Sequence, residues 1–385
     1  MNILIVSSCP THPTIAGNRK GILNMVEMFH NLGHNVFFLY IKNKSFHYTE
    51  KDGVESYLKD YWKDKLFIYK EGYFQKIVHL LISYYRQYMS NGYFDCDDDY
   101  PWGLHNMINI IDRKLKLDVC IVNYFYLTKA LPKINIPIKA LFTHDYFAYK
   151  SILVGINNVS CNINAHQEAK AMQRSPHIFS VNTGESEYFR RLSPNSIIYN
   201  VFSVFKYCQQ PYVGNHTLLF LSGSNIYNIK GLKWFYSEIF PKLKKEIPDI
   251  VLKIGGSICK VLDNTYEDAN VQIVGFVDSP YEFYESADVV INPTYLGTGL
   301  KIKTFESIAY DKITMAHPHS VDGIFQRDNA PIFKSIDPQE WLSFLSGIWK
   351  DKNEIIKWKS RNASYIKDLN NFIRNEYCRF LGSGV

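Results

Sequence analysis

No C-x-x-C pair and no Cys/His cluster occurs in the 385 residues, so no zinc site or dithiol redox motif is encoded. The seven cysteines (Cys9, Cys96, Cys120, Cys161, Cys208, Cys259 and Cys378) are an odd, scattered set. They read as reduced thiols of a cytoplasmic protein rather than a disulfide framework. No uninterrupted apolar stretch approaches the ~20 residues of a membrane span. The opening "MNILIVSSCP" has no basic flank before its apolar run, so it does not read as a signal peptide. No Lys/Arg run is dense enough for a nucleic-acid groove, although the net charge of +6 suits an anionic substrate or membrane surface. No Asp-x-Asp stands at the end of an expected strand, and the one in "CDDDY" at 96–100 reads as a solvated acidic turn in an irregular loop, so no metal site is expected. The first apolar run leads into "SSCPTHPTIAG" without a G-x-G-x-x-G turn, which disfavours a dehydrogenase.

What is present is material for two cores, with 46% apolar and 21% charged residues. The 28 Tyr and 25 Phe read first as a compositional bias and second as surfaces for stacking sugars. "NILIVSS" has the continuous apolar character of a buried parallel strand, "ILNMVEMFHNLGH" that of a helix stopped at Gly33, and "NVFFLYI" that of the next strand. Residues 45–105 look irregular and aromatic, with helical patches such as "FQKIVHLLISYYRQYM". Strands recur at "LDVCIVNYFY", "KALFTHDY" and "HIFSVNT". The alternation restarts at "HTLLFLSGS" and runs through "DIVLKIGGS", "NVQIVGFV", "DVVINPT" and "KITMAHP". Two doubly wound α/β domains follow, 1–205 and 206–365, with 366–385 a terminal helix returning to the first.

"PTYLGTGLKIKTFES" carries the chemistry. Its glycines let backbone approach a ligand, Thr298 can cap or donate, and the amides of Gly299, Leu300 and Lys301 face outward at a helix start, where anions are favoured. Lys301 and Lys303 add positive charge. Glu306 then lies about 6 Å along the helix axis, within reach of a ribose if a diphosphate occupies the loop. The plainer reading is a glycine-rich turn with a surface Lys–Glu pair.

"GTGLKIKTFESIAY" resembles the carboxyl-domain signature of the group-1 glycosyltransferases of the GT-B fold. "LFLSGSNIYNIKGLKWFYSEIFPKLKKEIPDIVLKIGGS" and "VQIVGFVDSPYEFYESADVVINPT" are similar to that family's donor domain over residues 217–323. "ILIVSSCPTHPTIAGNRKGILNMVEMFHNLGHNV" is similar to its opening. The resemblance implies two Rossmann-like domains facing across a cleft, and retention of anomeric configuration. It also implies a nucleotide-sugar donor with no further cofactor or metal, and a glycan or polyprenyl-linked saccharide acceptor. Diphosphate binding would fall to Gly17, Lys230, Thr298, Gly299 and Lys301 or Lys303, ribose binding to Glu306, and Val277 of "GFV" would lie by the base. Two departures stand out. Ser224 occupies the place of an expected Arg, and Thr298 that of the first Glu in an E-x7-E motif.

In the amino half, Asn18 and Arg19 follow Gly17, with Arg19 either steering an anion or simply solvated. His144 and Asp145 at a strand end could orient an acceptor hydroxyl or take its proton, or Asp145 could only cap a helix. Glu168, Thr183 and Glu187 fall in segments that the resemblance sets near the cleft. The aromatic stretch before residue 90 reads either as a helix lying on an anionic membrane surface or as one packed on its own domain. The reading is a glycosyltransferase of surface polysaccharide assembly, cytoplasmic or peripheral at the inner membrane face. A nucleotide-sugar epimerase and a non-catalytic donor-binding subunit stay open as alternatives.

Overall fold

Asn2–Ser7 (β1) is a strand buried at every position after Asn2, because a parallel sheet covered on both faces rewards unbroken apolar runs over alternating ones. The computed structural model describes residues 1–14, 17–42, 53–89, 95–148 and 163–382. These group into two units, Met1–Ser203 with Ile373–Val385, and Val204–Phe372.

In the first unit β1 is followed by α1 (Gly17–Asn31), β2 (Asn35–Ile41), α2 (Val54–Trp62), β3 (Leu66–Tyr69), α3 (Tyr73–Met89) and α4 (Leu104–Leu115). Then come β4 (Val119–Asn123), β5 (Ile138–Phe142), α5 (Ala165–Met172), β6 (His177–Ser180), α6 (Thr183–Leu192) and β7 (Ile197–Asn200). The seven strands are parallel in the order β3-β2-β1-β4-β5-β6-β7. Strand order reverses direction between β1 and β4, and in such sheets ligands sit at the carboxyl ends of the strands flanking that switch.

The second unit repeats the plan with β8 (Thr217–Leu221), α7 (Ile226–Trp234), α8 (Phe240–Glu246), β9 (Val251–Gly255), β10 (Val271–Gly275), α9 (Pro280–Glu285) and β11 (Val289–Asn292). After them stand α10 (Ile302–Ala309), β12 (Ile313–Ala316), β13 (Ile332–Lys334), α11 (Pro338–Lys350) and α12 (Lys352–Gly382). Its order is β10-β9-β8-β11-β12-β13, so its switch lies between β8 and β11. Residues of α12 up to Phe372 group with the second unit, and those from Ile373 with the first.

Two local features have clear causes. α7 starts at Ile226 because the Asn225 side chain accepts the Asn228 amide at 2.9 Å and caps the helix. One wide π turn, Phe235–Ile239, then separates α7 from α8. Pro241 has no N–H to return to the preceding turn, and the Phe240 amide bonds instead to Phe235 five residues back.

Residues 45–105 are more regular than their composition suggests: the described part forms α2, β3 and α3, while 43–52 and 90–94 lie outside the described residues. The short strands β3, β7 and β13 give too few residues for a period to show. The acidic turn is corrected as well. Asp97 and Asp98 are buried, and Arg174 grips Asp97 with two bonds of 2.6 and 3.0 Å. Lys170 holds Asp95 at 3.0 Å and Lys129 lies 3.3 Å from Asp97. Burial works to raise the Asp97 carboxyl, but the Arg174 bonds with the Lys129 and Lys170 charges overcome it and hold it at about 2. The aspartates that sequence alone reads as solvated are the anionic half of an ion cluster tying the 95–100 turn to α5 and the segment after it.

Asp97→Ala should therefore cost about 3 kcal/mol in denaturant unfolding, since it strands a largely buried guanidinium. A loss below about 1 kcal/mol would return the turn to the surface.

Candidate functional site

In the second unit, β8 ends at Leu221, just before Ser222, and β11 at Asn292, on either side of the switch. One side chain ties these ends together. Lys303, one residue into α10, places its ammonium 2.6 Å from Asn228 Oδ1, 3.0 Å from Thr294 Oγ1 and 3.3 Å from Ser222 Oγ. It also lies 5.0 Å above the centre of the Phe220 ring. Asn228 is fixed for this task because its Nδ2 donates to the Gly223 carbonyl at 3.0 Å, which turns its oxygen toward the lysine. Burial, with the nearby Lys301 charge, pulls the Lys303 ammonium down to about 7. Among the described residues no carboxylate bonds to it; its three acceptors are neutral oxygens.

The glycine-rich loop precedes α10, which begins at Ile302. Lys301 takes the cap position without a side-chain cap bond, so the capping role suggested for Thr298 is not observed. Lys301 instead folds back: its ammonium lies 3.1, 3.0 and 3.4 Å from the carbonyls of Gly297, Thr298 and Gly299. In a trans peptide the N–H opposes the C=O, so the amides of Thr298, Gly299 and Leu300 face away from the lysine. Gly297 and Gly299 have φ of 98° and 73°, and such left-handed steps gather successive amides into an anion-binding hollow. A Cβ at Gly297 would also come within 3.1 Å of the Tyr227 ring. His319 secures the loop from outside by donating from Nε2 to the Gly297 carbonyl at 3.0 Å.

Glu306 lies half-buried one turn along α10, with the Tyr284 hydroxyl 3.5 Å from its Oε2. Phe305 and Ala309 of the same helix are buried, as helical spacing requires. Ser224, standing where an Arg is expected, is exposed and donates its amide to Ser257 Oγ at 3.2 Å. Lys230 is half-buried on α7, and Leu300 is half-buried in the loop. Val277 packs against the cluster of Leu219, Phe283 and Val290.

A second group of polar residues gathers at the switch of the first unit. Asn123 ends β4, and its Nδ2 donates to the Val6 carbonyl at 3.2 Å. That leaves its oxygen for His144 Nε2, also 3.2 Å away, so Nε2 carries the proton and Nδ1 is the accepting nitrogen. Desolvation pulls the His144 imidazole down to about 3. The ring is neutral at pH 7 and a poor base, which weighs against its taking an acceptor's proton; its geometry suits holding a hydroxyl in place. Tyr124, at φ 71°, stacks on His144 with centroids 4.3 Å apart, and its hydroxyl accepts from Asn18 Nδ2 at 3.0 Å. A bulky residue held at positive φ marks a position that surrounding structure over-determines.

Gly17 is the exposed first residue of α1, whereas Arg19 is buried and donates to the Pro13 carbonyl at 2.9 Å. Arg19 is therefore not a solvated loop residue. Asp145 is half-buried beside His144. Glu168 is buried and accepts the amides of Phe147 and Ala148 at 2.8 and 3.0 Å and the Tyr188 hydroxyl at 2.8 Å. It fixes the segment after His144 and Asp145. Thr183 and Glu187 are exposed on α6, where Glu187 pairs with Arg190.

Sequence reasoning missed Asn228, Thr294, Tyr124 and His319. For Tyr124 a signal existed: it is an aromatic residue directly after Asn123, the end of a strand that borders a switch point.

Residues 215–351 match the family described as glycosyl transferases group 1. A Klebsiella pneumoniae protein, "Uncharacterized 44.6 kDa protein in cps region", is 22% identical over 333 residues, 80% of each chain. Among solved structures, TarM is similar at TM-score 0.69 and 10% identity over 98% of both chains. Anabaena HepE in complex with UDP is similar at 0.67 and 11% over all of both chains. The pneumococcal O-GlcNAc transferase GtfA in complex with UDP and GlcNAc is similar at 0.64 and 8%, over 100% of this chain and 99% of that one. Two parallel sheets that each reverse at a switch point give the chain the GT-B fold of these structures, and its second unit matches the group 1 glycosyltransferase family.

Proposed function

We propose that the protein transfers a sugar from a nucleoside-diphosphate donor to a glycan or lipid-linked acceptor, in assembly of a surface polysaccharide. The observation that carries this reading is the turning of three consecutive carbonyls toward Lys301, which aims the opposed amides at an anion site. HepE and GtfA, similar in fold, were each solved with UDP, and the Klebsiella relative comes from a cps region.

In this reading the diphosphate rests on the amides of Thr298, Gly299 and Leu300 and takes over part of the Lys303 coordination, with Ser222, its most distant partner, displaced first. Glu306 accepts from the ribose hydroxyls. As the bond between the sugar and the diphosphate breaks, negative charge gathers on the leaving oxygens, and fixed amides and an ammonium stabilise that charge more than the ground state. No divalent ion is required for this charge compensation. His144 presents its bare Nδ1 to a sugar or acceptor hydroxyl, and retention of configuration is part of the proposal.

Lys303→Gln should lower kcat by about a hundredfold, the scale of losing one stabilising donor at a developing anion. Glu306→Gln should act mainly on donor affinity, raising KM by about tenfold or more. Lys303→Gln turnover equal to wild type would sink the proposal. Nucleotide binding without transfer or hydrolysis of any donor would favour the non-catalytic reading, and release of nucleotide without acceptor the epimerase.

The Lys303 ammonium also makes binding proton-linked. A diphosphate beside it raises its pKa above about 7, so binding takes up a proton. UDP or GDP affinity should be full below pH 7 and weaken above it, by at most about tenfold per pH unit. Calorimetry in buffers of different ionisation enthalpy reads the uptake directly. Lys303→Gln should abolish it, and a Kd flat between pH 6.5 and 8.5 would contradict the assignment.

A further inference from the structure

Helix α3 turns its apolar side outward. Nine large apolar side chains along it are exposed, from Tyr73 at 84% through Leu80 at 72% and Tyr84 at 75% to Tyr88 at 80%. At 3.6 residues per turn they cover about half the circumference of the helix. An amphipathic helix of a soluble domain does the reverse and points this side at the core. With aromatic side chains of roughly 200 Å² each, the apolar surface is on the order of 1,000 Å², above what a free monomer surface carries.

We propose that α3 is a membrane-docking helix that lies within the headgroup layer of an anionic lipid surface. Three observations select a lipid surface over a second protein chain. The exposed arc is wider than the seam of two positions per heptad that a partner helix covers, whereas a helix lying in the interface buries a whole side. Tyr73, Tyr84, Tyr85 and Tyr88 are the kind of amphipathic aromatic that settles at the headgroup level. The helix carries Lys76 and Arg86 and no carboxylate, a charge complementary to anionic lipid. Among the described residues no helix is long and apolar enough to cross a membrane, so α3 rests on the surface rather than spanning it. α3 belongs to the first unit and the proposed diphosphate residues to the second, and the inference stands independently of the donor reading.

The test is flotation of the full chain with vesicles of equal parts phosphatidylglycerol and phosphatidylcholine, against vesicles of phosphatidylcholine alone. The wild type should float with the anionic vesicles and much less with the zwitterionic ones. Leu80→Glu with Tyr84→Glu should lower binding by at least about tenfold. Its melting temperature and UDP affinity should not change, because both side chains face solvent. Lys76→Gln with Arg86→Gln should bring anionic binding down to the zwitterionic level. Failure of the wild type to float, or flotation untouched by the glutamate pair, overturns the proposal. So does a concentration-dependent dimer in light scattering that the glutamate pair dissolves, which would assign the helix to a second copy.

Discussion

An ammonium group held by the carbonyls of its own loop decides which way the neighbouring amides face. Lys301 is that group, and the rest of the second unit is arranged to make its position stable. Glycines at 297 and 299 supply the backbone angles, His319 pins the Gly297 carbonyl from the other side, and α10 starts directly behind the loop. A positive side chain expected to meet an anion thus serves to orient neutral donors. The direct charge falls to Lys303, whose ammonium lies between the ends of the two strands that border the switch point.

This division suits a chain with Ser224 where the resemblance led one to expect an Arg. A buried lysine with neutral partners is destabilised as a cation, and in the proposed function an arriving diphosphate relieves that cost. On that proposal the charge is stored poorly matched and becomes well matched only with the ligand, which is the condition for binding an anion tightly without a competing carboxylate. In the first unit the same logic gives a different chemistry. Desolvation keeps His144 neutral, Asn123 fixes its tautomer, and the stacked Tyr124 walls the site.

Much of the architecture was legible in the sequence because parallel strands buried on both faces leave unbroken apolar runs, as in β1, β4 and β11. The Gly297–Glu306 stretch was legible because it is contiguous, and a loop with its following helix shows spacing directly. Asn228, Thr294 and Ser222 were not, since sheet order rather than sequence distance brings them to Lys303. The acidic turn was misread for the same reason: its cations are Lys170 of α5, Arg174 two residues beyond that helix, and Lys129, up to 77 residues away. Arg19 was misread because burial of a guanidinium depends on a carbonyl, Pro13, that no charge pattern reveals. The exposure of α3 could not be read either, because its periodicity marks an apolar side without saying what that side meets.

The most direct test of the account is a crystal structure with a nucleoside diphosphate bound. The account predicts pyrophosphate oxygens within hydrogen-bonding distance of the amides of Thr298, Gly299 and Leu300 and of Lys303 Nζ, with Lys301 still turned to its own carbonyls and Glu306 on the ribose. A nucleotide seated elsewhere, or a Lys301 released from the loop to grip the phosphate itself, would contradict it.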